Sequence, residues 1–234
     1  MLKVSNGNAV MFCLSGKGST ISCDVFPPLE IKDDENYVIG LVDLATFNSI
    51  PNIERGVNDK IHFSNGHVVT IDEGSYEIED IEKFILDHLP EGVEFKLKAN
   101  NNTLKSEIEC SVGIDFDRGG TVGSLLGFSR KQLTANVKHV SDLTVDILKV
   151  NSIRVECNIV RGSFDNGTES HIIHEFYPTV EPGYKIVVTP ATIIYLPVNV
   201  RKVHNITVQL KDQDGRLINL RGETLTVRLH IKKV

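Results

Sequence analysis

The sequence predicts a mainly β protein built as an antiparallel sandwich or barrel, with a small helix-plus-hairpin insertion. Three observations point there. The last third, Ser152 to Val234, alternates apolar and polar residues strand after strand; Ile153-Arg154-Val155-Glu156-Cys157-Asn158-Ile159-Val160 is the clearest run, as expected when successive side chains face opposite ways. Turn residues separate these runs, at Glu181-Pro182-Gly183 and Asp214-Gly215. Only one stretch of the whole sequence has a helical period.

In sequence order, Ala9 to Leu14, Thr20 to Phe26 and Tyr37 to Leu44 read as strands, with Pro27-Pro28 marking an edge or a break. Lys60 to Ser64 and Val68 to Ile71 form a hairpin closed at Asn65-Gly66. Ser75 to Leu89 is the helix: Ile78, Ile81, Ile85 and Leu89 make one stripe. Ser75 is its expected N-cap, acidic residues fill its first turn and Pro90 stops it. Two strands follow, Glu94 to Ala99 and Thr103 to Cys110, and Val122 to Phe128 reads as one helical turn. The last third supplies strands at Ile153 to Val160, His171 to Tyr177, Lys185 to Val188, Thr192 to Val198, Asn205 to Lys211 and Leu225 to Lys232. In the final strand Leu225, Val227, Leu229 and Ile231 are expected in the core, and Thr226, Arg228, His230 and Lys232 outside. The helix and hairpin sit inside an otherwise all-β protein, so an α/β subdomain at about residues 73–128 is expected as an insertion in a single domain spanning 1–234.

A protein of 234 residues with 41% hydrophobic content buries a core without staples. Its net charge is -6 and no run of Lys and Arg is longer than two residues. That argues against a nucleic-acid surface and, with a pI of 5.8, against an anionic-membrane partner. No apolar run reaches the roughly 20 residues needed to span a bilayer. The start lacks the apolar core of a signal peptide. Cys13, Cys23, Cys110 and Cys157 show no C-x-x-C spacing, so synthesis in a reducing, intracellular compartment is expected.

Three short segments imitate chemical motifs, and each fails at a required position. Gly16-Lys17-Gly18-Ser19-Thr20 lacks the first glycine of a phosphate loop, where Met11 stands, and Gly18 occupies the Ser/Thr position. It reads instead as a glycine-rich hairpin tip. His171-Ile172-Ile173-His174-Glu175 places two histidines three apart on a strand, on opposite faces, where a zinc hydrolase needs four apart on a helix. Asp212-Gln213-Asp214-Gly215, closed by Glu223, has the rhythm of a calcium loop, but Arg216 and Leu217 stand where an acidic residue and the glycine belong. A hairpin turn is expected there. No catalytic residue, metal site or cofactor is assigned; Trp is absent and aromatics are 6%, which weakens a stacking platform for sugars or single strands.

Several ordered stretches bear a family resemblance: Tyr37-Val38-Ile39-Gly40-Leu41 leading into Thr46-Phe47-Asn48-Ser49-Ile50-Pro51-Asn52-Ile53; Gly74-Ser75-Tyr76-Glu77-Ile78-Glu79-Asp80-Ile81; Asn101-Asn102-Thr103-Leu104-Lys105-Ser106; Val122-Gly123-Ser124-Leu125-Leu126-Gly127-Phe128; Ile194-Tyr195-Leu196-Pro197-Val198; and Leu210-Lys211-Asp212-Gln213-Asp214-Gly215. Together they resemble the penton-type minor capsid proteins of Polinton (Maverick) elements and adintoviruses, over about Tyr37 to Val234. The resemblance implies a single jelly roll and a structural protein that assembles as a homopentamer at icosahedral vertices, beside a double jelly-roll major capsid protein. It also implies a virion location, with synthesis in the host cell and assembly in the nucleus. No Arg-Gly-Asp receptor loop occurs: Arg161-Gly162-Ser163 and Arg221-Gly222-Glu223 do not substitute.

Two other classes compete. A non-viral sandwich binding module, tumour-necrosis-factor-like or lectin-like, calls for a secretory signal or anchor, disulfides and aromatic loops. A cupin-type enzyme calls for a His/His/Glu cluster on one barrel face, which His171, His174 and Glu175 do not provide by alternation. The expectation is therefore an assembly protein and no enzyme, with no small-molecule substrate.

Overall fold

The computed structural model describes residues 9–32 and 35–234. The protein divides into two compact units: one holds the described residues of Met1–Ile50 together with Val150–Val234, the other is Pro51–Lys149. The second unit is therefore wider than the 73–128 helix-and-hairpin segment singled out by its periodicity.

The first unit opens with β1 (Ala9–Lys17), β2 (Thr20–Glu30) and β3 (Tyr37–Phe47). The second unit follows, with β4 (Lys60–His62), β5 (Val68–Thr70), α1 (Ile78–His88), β6 (Phe95–Asn100), β7 (Lys105–Cys110), β8 (Ile114–Asp115), β9 (Gln132–Leu133) and β10 (His139–Val140). The backbone then returns to the first unit with β11 (Ile153–Cys157), β12 (Ser163–Asp165), β13 (Thr168–Ser170), β14 (Ile172–Phe176), β15 (Lys185–Val188), β16 (Leu196–Pro197), β17 (Lys202–Asp212) and β18 (Thr224–Lys233).

Among the described residues the first unit has two large antiparallel sheets and a separate β12-β13 ladder. One runs β1-β18-β3-β15, with β16 also on β3; the other runs β14-β11-β17-β2. Setting aside the short β12, β13 and β16, eight strands remain. Numbered in order of sequence, they run 1-8-3-6 in one sheet and 5-4-7-2 in the other, the interleaving that two Greek keys produce in a jelly roll. The long excursion of the second unit lies between the third and fourth of these strands.

Why the core sits between the sheets is plainest in β18. Leu225, Val227, Leu229 and Ile231 are each 0% exposed, while Arg228 is exposed and Thr226, His230 and Lys232 are half-buried. Opposite Arg228 and Leu229 the register shifts, so that Arg228 pairs with Asp43 and Leu229 with Leu41. The extra residue, Val42, lets both strands keep their apolar sides inward on either side of the bulge. Ile39, Leu41 and Leu44 of β3 and Ile153, Val155, Ile206, Val208 and Leu210 of the other sheet complete the apolar interior.

Two local expectations change. Gly16 to Thr20 is not a hairpin tip: β1 pairs with β18 and β2 with β17, so the segment crosses between sheets. The backbone doubles back tightly there, and a Cβ on Gly16 would come within 2.8 Å of Ile21 Cγ2. Nor is Thr192 to Val198 one strand. Leu196–Pro197 pairs with Ile39 and Val38, Val198 makes a single bridge to Val160, and the residues before Leu196 pair with no strand. The preceding Ile193 to Tyr195 lies against Gly40, where the missing side chain leaves room for it. Tyr195 Oη is 2.7 Å from His230 Nδ1, and the Lys232 ammonium sits 3.8 Å from the Tyr195 ring centre. Alternating β-branched residues thus mark extended backbone, and extended backbone need not be paired.

In the second unit a three-stranded sheet, β10-β7-β6, supports the helix. Ile78, Ile81 and Ile85 are buried in one cluster with Phe95 and Leu97 of β6 and Ile108 and Cys110 of β7, and Glu82 accepts a hydrogen bond from Leu97 N at 2.8 Å. The helix starts later than its acidic run suggests. Its N-cap is Glu77, whose N–H donates to Asp80 at 3.2 Å, and Ser75 lies outside. The cause is tertiary: Tyr76 N–H donates to Asn52 Oδ1 and Tyr76 C=O accepts from Asn52 Nδ2. Both backbone groups of the preceding residue are thereby tied to another loop. The expected turn at Val122 is present, with one i to i+4 bond from Leu126 N to Val122 O, and it ends at Gly127 with φ +80°.

Candidate functional site

The three imitation motifs are occupied by the protein's own hydrogen bonding. Gly18 N–H donates to Glu223 O at 2.9 Å, from a backbone at φ +82° that favours glycine. Asp212 Oδ1 accepts from the N–H groups of Asp214 and Arg216, both at 2.9 Å, and Oδ2 accepts from Arg216 Nε at 2.9 Å. This carboxylate closes the turn at Gly215, and Lys211 bridges Leu217 beyond it. His171 Nδ1 meets Val160 O at 2.5 Å. His174 lies opposite Val155 and near the Phe176 ring, where burial pushes its pKa below the usual 6.5. Glu175 instead lies 3.5 Å from Arg154 Nε. These three side chains are directed to different partners. Among the described residues no group of three or more His, Cys, Asp and Glu is placed to share a metal ion.

Cysteine chemistry is equally subdued. Burial raises the Cys157 thiol to about 11 and also raises Cys23 and Cys110, so these three are thiols rather than reactive thiolates at neutral pH.

What the first unit does present is two unlike flanks. Each sheet ends in edge strands, β1 and β2 on one side, β14 and β15 on the other. Edge strands offer unpaired backbone groups and must be guarded against unwanted pairing or used. On β2, Leu29 pairs with Val203 and Asp24 with Asn205. Val25, Phe26, Pro27 and Pro28 therefore face only His204 and bulge from the ladder. The two prolines remove N–H donors and stiffen the bulge. Phe26, at its apex, is 93% exposed. The sequence signal for this knob is Pro27-Pro28, which marks an edge or a break but not the aromatic apex.

On the other flank β15 lies along the end of β3, with Lys185 opposite Phe47 and Val187 opposite Ala45. Val187 is 63% exposed and Phe47 42%; as diagonal neighbours on one face they lie within mutual reach. Tyr177 and Tyr184 are also exposed, at the two ends of the β14–β15 connection. That connection is held firmly. Tyr184 N–H donates to Glu181 O across Pro182-Gly183, with Gly183 at φ +87°, the geometry of a type II turn. Asn48, just past the end of β3, locks it, donating its N–H to Tyr184 O at 2.8 Å and its side-chain amide to Val180 O at 2.7 Å, and accepting from Gly183 N–H at its backbone carbonyl at 2.7 Å. An apolar surface on a fixed turn is pre-organised for contact.

No family model and no curated protein matches this sequence. A solved structure does: the crystal structure of the selenomethionine-labelled mavirus penton protein, with a TM-score of 0.50 and 11% identity, over 97% of this chain and 100% of that chain. The fold is like that of the mavirus penton protein. At this identity the likeness is one of architecture, and the full coverage of the mavirus protein extends it over both units.

Proposed function

We propose that this protein is a structural virion component, a penton-like single jelly-roll capsomer that closes icosahedral vertices as a homopentamer. The observation that carries the reading is the end-to-end likeness to the mavirus penton protein, 97% of one chain against 100% of the other. The Polinton and adintovirus resemblance of the motifs names the lineage. In this reading the partners are further copies of the protein and a double jelly-roll major capsid protein, the location is the virion after nuclear assembly, and the protein works through surfaces without turning over a substrate.

A closed ring of identical subunits needs a heterologous interface, one flank of each copy meeting a different flank of the next. The two flanks of the jelly roll are unlike in the manner such an interface requires. One bears the stiff Phe26 knob, the other the apolar side chains of Phe47 and Val187 beside the exposed Lys185. Apolar contacts gain in strength with added salt, whereas the net charge of -6 per subunit makes copies repel at low salt. Association is therefore expected to rise with ionic strength. Sedimentation velocity over a concentration series tests this with the wild type and Phe26→Asp. The wild type is expected to self-associate, and the variant to remain folded and monomeric. Unaltered association of the variant would remove Phe26 from the interface, and wild-type trimers would favour a tumour-necrosis-factor-like module.

A further inference from the structure

Two hairpin tips in the described residues contain the dipeptide Asn-Gly, at Asn65-Gly66 and Asn166-Gly167. We propose that Asn166 is a site of spontaneous covalent modification, its amide converted to aspartate and isoaspartate, while Asn65 is protected by its hydrogen bonding. In this reaction the backbone nitrogen of the following glycine attacks the Asn Cγ. A new bond forms between that nitrogen and Cγ, the bond from Cγ to Nδ2 breaks, and the proton lost from the glycine N–H is returned through solvent to the departing nitrogen, which leaves as ammonia. Water then opens the cyclic imide at either carbonyl. Nothing is oxidised or reduced.

The two sites differ in the groups that react. Gly66 N–H donates to Phe63 O at 3.0 Å, and Asn65 Oδ1 accepts from His67 N–H at 3.0 Å. The nucleophilic nitrogen is thus held by a carbonyl, and the Asn65 amide oxygen is turned forward. Gly167 N–H, in contrast, makes no hydrogen bond among the described residues, and the Asn166 amide has only a long 3.4 Å contact with Asp165.

They differ as much in their freedom to open. β4 and β5 bury Ile61 and Val69, Phe63 beyond β4 is buried too, and β4 is bridged to Thr121. β12 and β13 form a separate two-stranded ladder in which no residue is buried. An isolated two-stranded ladder is marginal in water and opens locally at little cost. Opening matters because Asn166 and Gly167 sit at φ +48° and +84°, a turn the backbone leaves before the imide can close. The product does not restore it. Isoaspartate adds a methylene to a two-residue turn, next to the Asp165 carboxylate that pairs with Arg154 at 2.8 and 3.2 Å. Modification therefore loosens the hairpin that presents Phe164.

The test is to hold the full-length native protein at mildly alkaline pH and to follow the tryptic peptides 162–185 and 61–83 by mass spectrometry. The same two peptides, incubated after digestion, provide the unstructured reference. The amide-to-acid mass gain is expected to accrue in 162–185 of the native protein, faster at higher pH, and to be strongly suppressed in 61–83. In the free peptides both sites should react. Equal native rates at the two sites, or an Asn166 protected as well as Asn65, would overturn the proposal. Neither outcome depends on whether the protein assembles.

Discussion

Replacing Gly40 with Ala tests the packing of the extended segment that lies against β3. The added Cβ would overlap Ile193 Cγ2 and lie 3.0 Å from Ile194 O and 3.2 Å from Tyr195 Cδ1. Favourable separations are about 3.5–4.0 Å, so all three neighbours must withdraw. Ile193 can rotate its side chain. Ile194 O belongs to a backbone anchored immediately downstream by the pairing of Leu196 and Pro197 with β3, and upstream of that anchor Tyr195 is held by His230 and Lys232. Overpacking of this kind costs about 1–3 kcal/mol, and the backbone contact places Gly40→Ala in the upper half of that range. Denaturant unfolding followed by circular dichroism measures it, and a thermal midpoint should fall by about 2–4 °C per kcal/mol for a protein of this size. Ile193→Ala in the same background should recover only the share due to the side chain, leaving the Ile194 O clash. A stability within about 0.5 kcal/mol of wild type, or complete rescue by Ile193→Ala, would refute the reasoning.

In the second unit, Ile85→Ala should cost about 2–5 kcal/mol because Ile85 is fully buried, whereas Leu86→Ala, half exposed on the next helical position, should stay within about 0.5 kcal/mol; urea titrations of both variants compare them directly. The depressed pKa of His174 sets a sign for pH. Above its unfolded value of roughly 6.5 both states are neutral, and as pH falls through that value the unfolded state takes a proton the folded state resists, so stability drops until pH passes below the folded pKa. His174→Gln should therefore show a flatter fall in unfolding midpoint between roughly pH 7.5 and 5.5, and identical slopes for variant and wild type would contradict the burial of the ring. Phe26→Asp should leave the unfolding midpoint unchanged while weakening self-association.

How much of this was legible in the amino-acid order depends on the range of the interactions involved. Leu225 to Ile231 is readable because a period of two and complete burial are one fact seen twice, and the same holds for the Ile78, Ile81, Ile85 stripe. Sheet membership was not readable. β1 and β2 are neighbours in sequence and separated by two residues, yet they belong to different sheets, since their partners β18 and β17 lie some two hundred residues away. The start of the helix is hidden for a similar reason: Asn52, outside any local window, ties down both backbone groups of Tyr76. Gly40 gave no local sign of its purpose, which exists only because Ile193 to Tyr195 lies against it. At the flanks, Pro27-Pro28 announced an irregular edge, but the four-against-one register that exposes Phe26 depends on β17.

Closure of a ring of identical copies through unlike flanks of the jelly roll is checked by native mass spectrometry of the protein across rising concentration and ionic strength. A species of five times the 26.0 kDa subunit mass is expected to grow, favoured by salt, with no stable species of two or three subunits beside it. A mass that stays at one, two or three subunits throughout would contradict it.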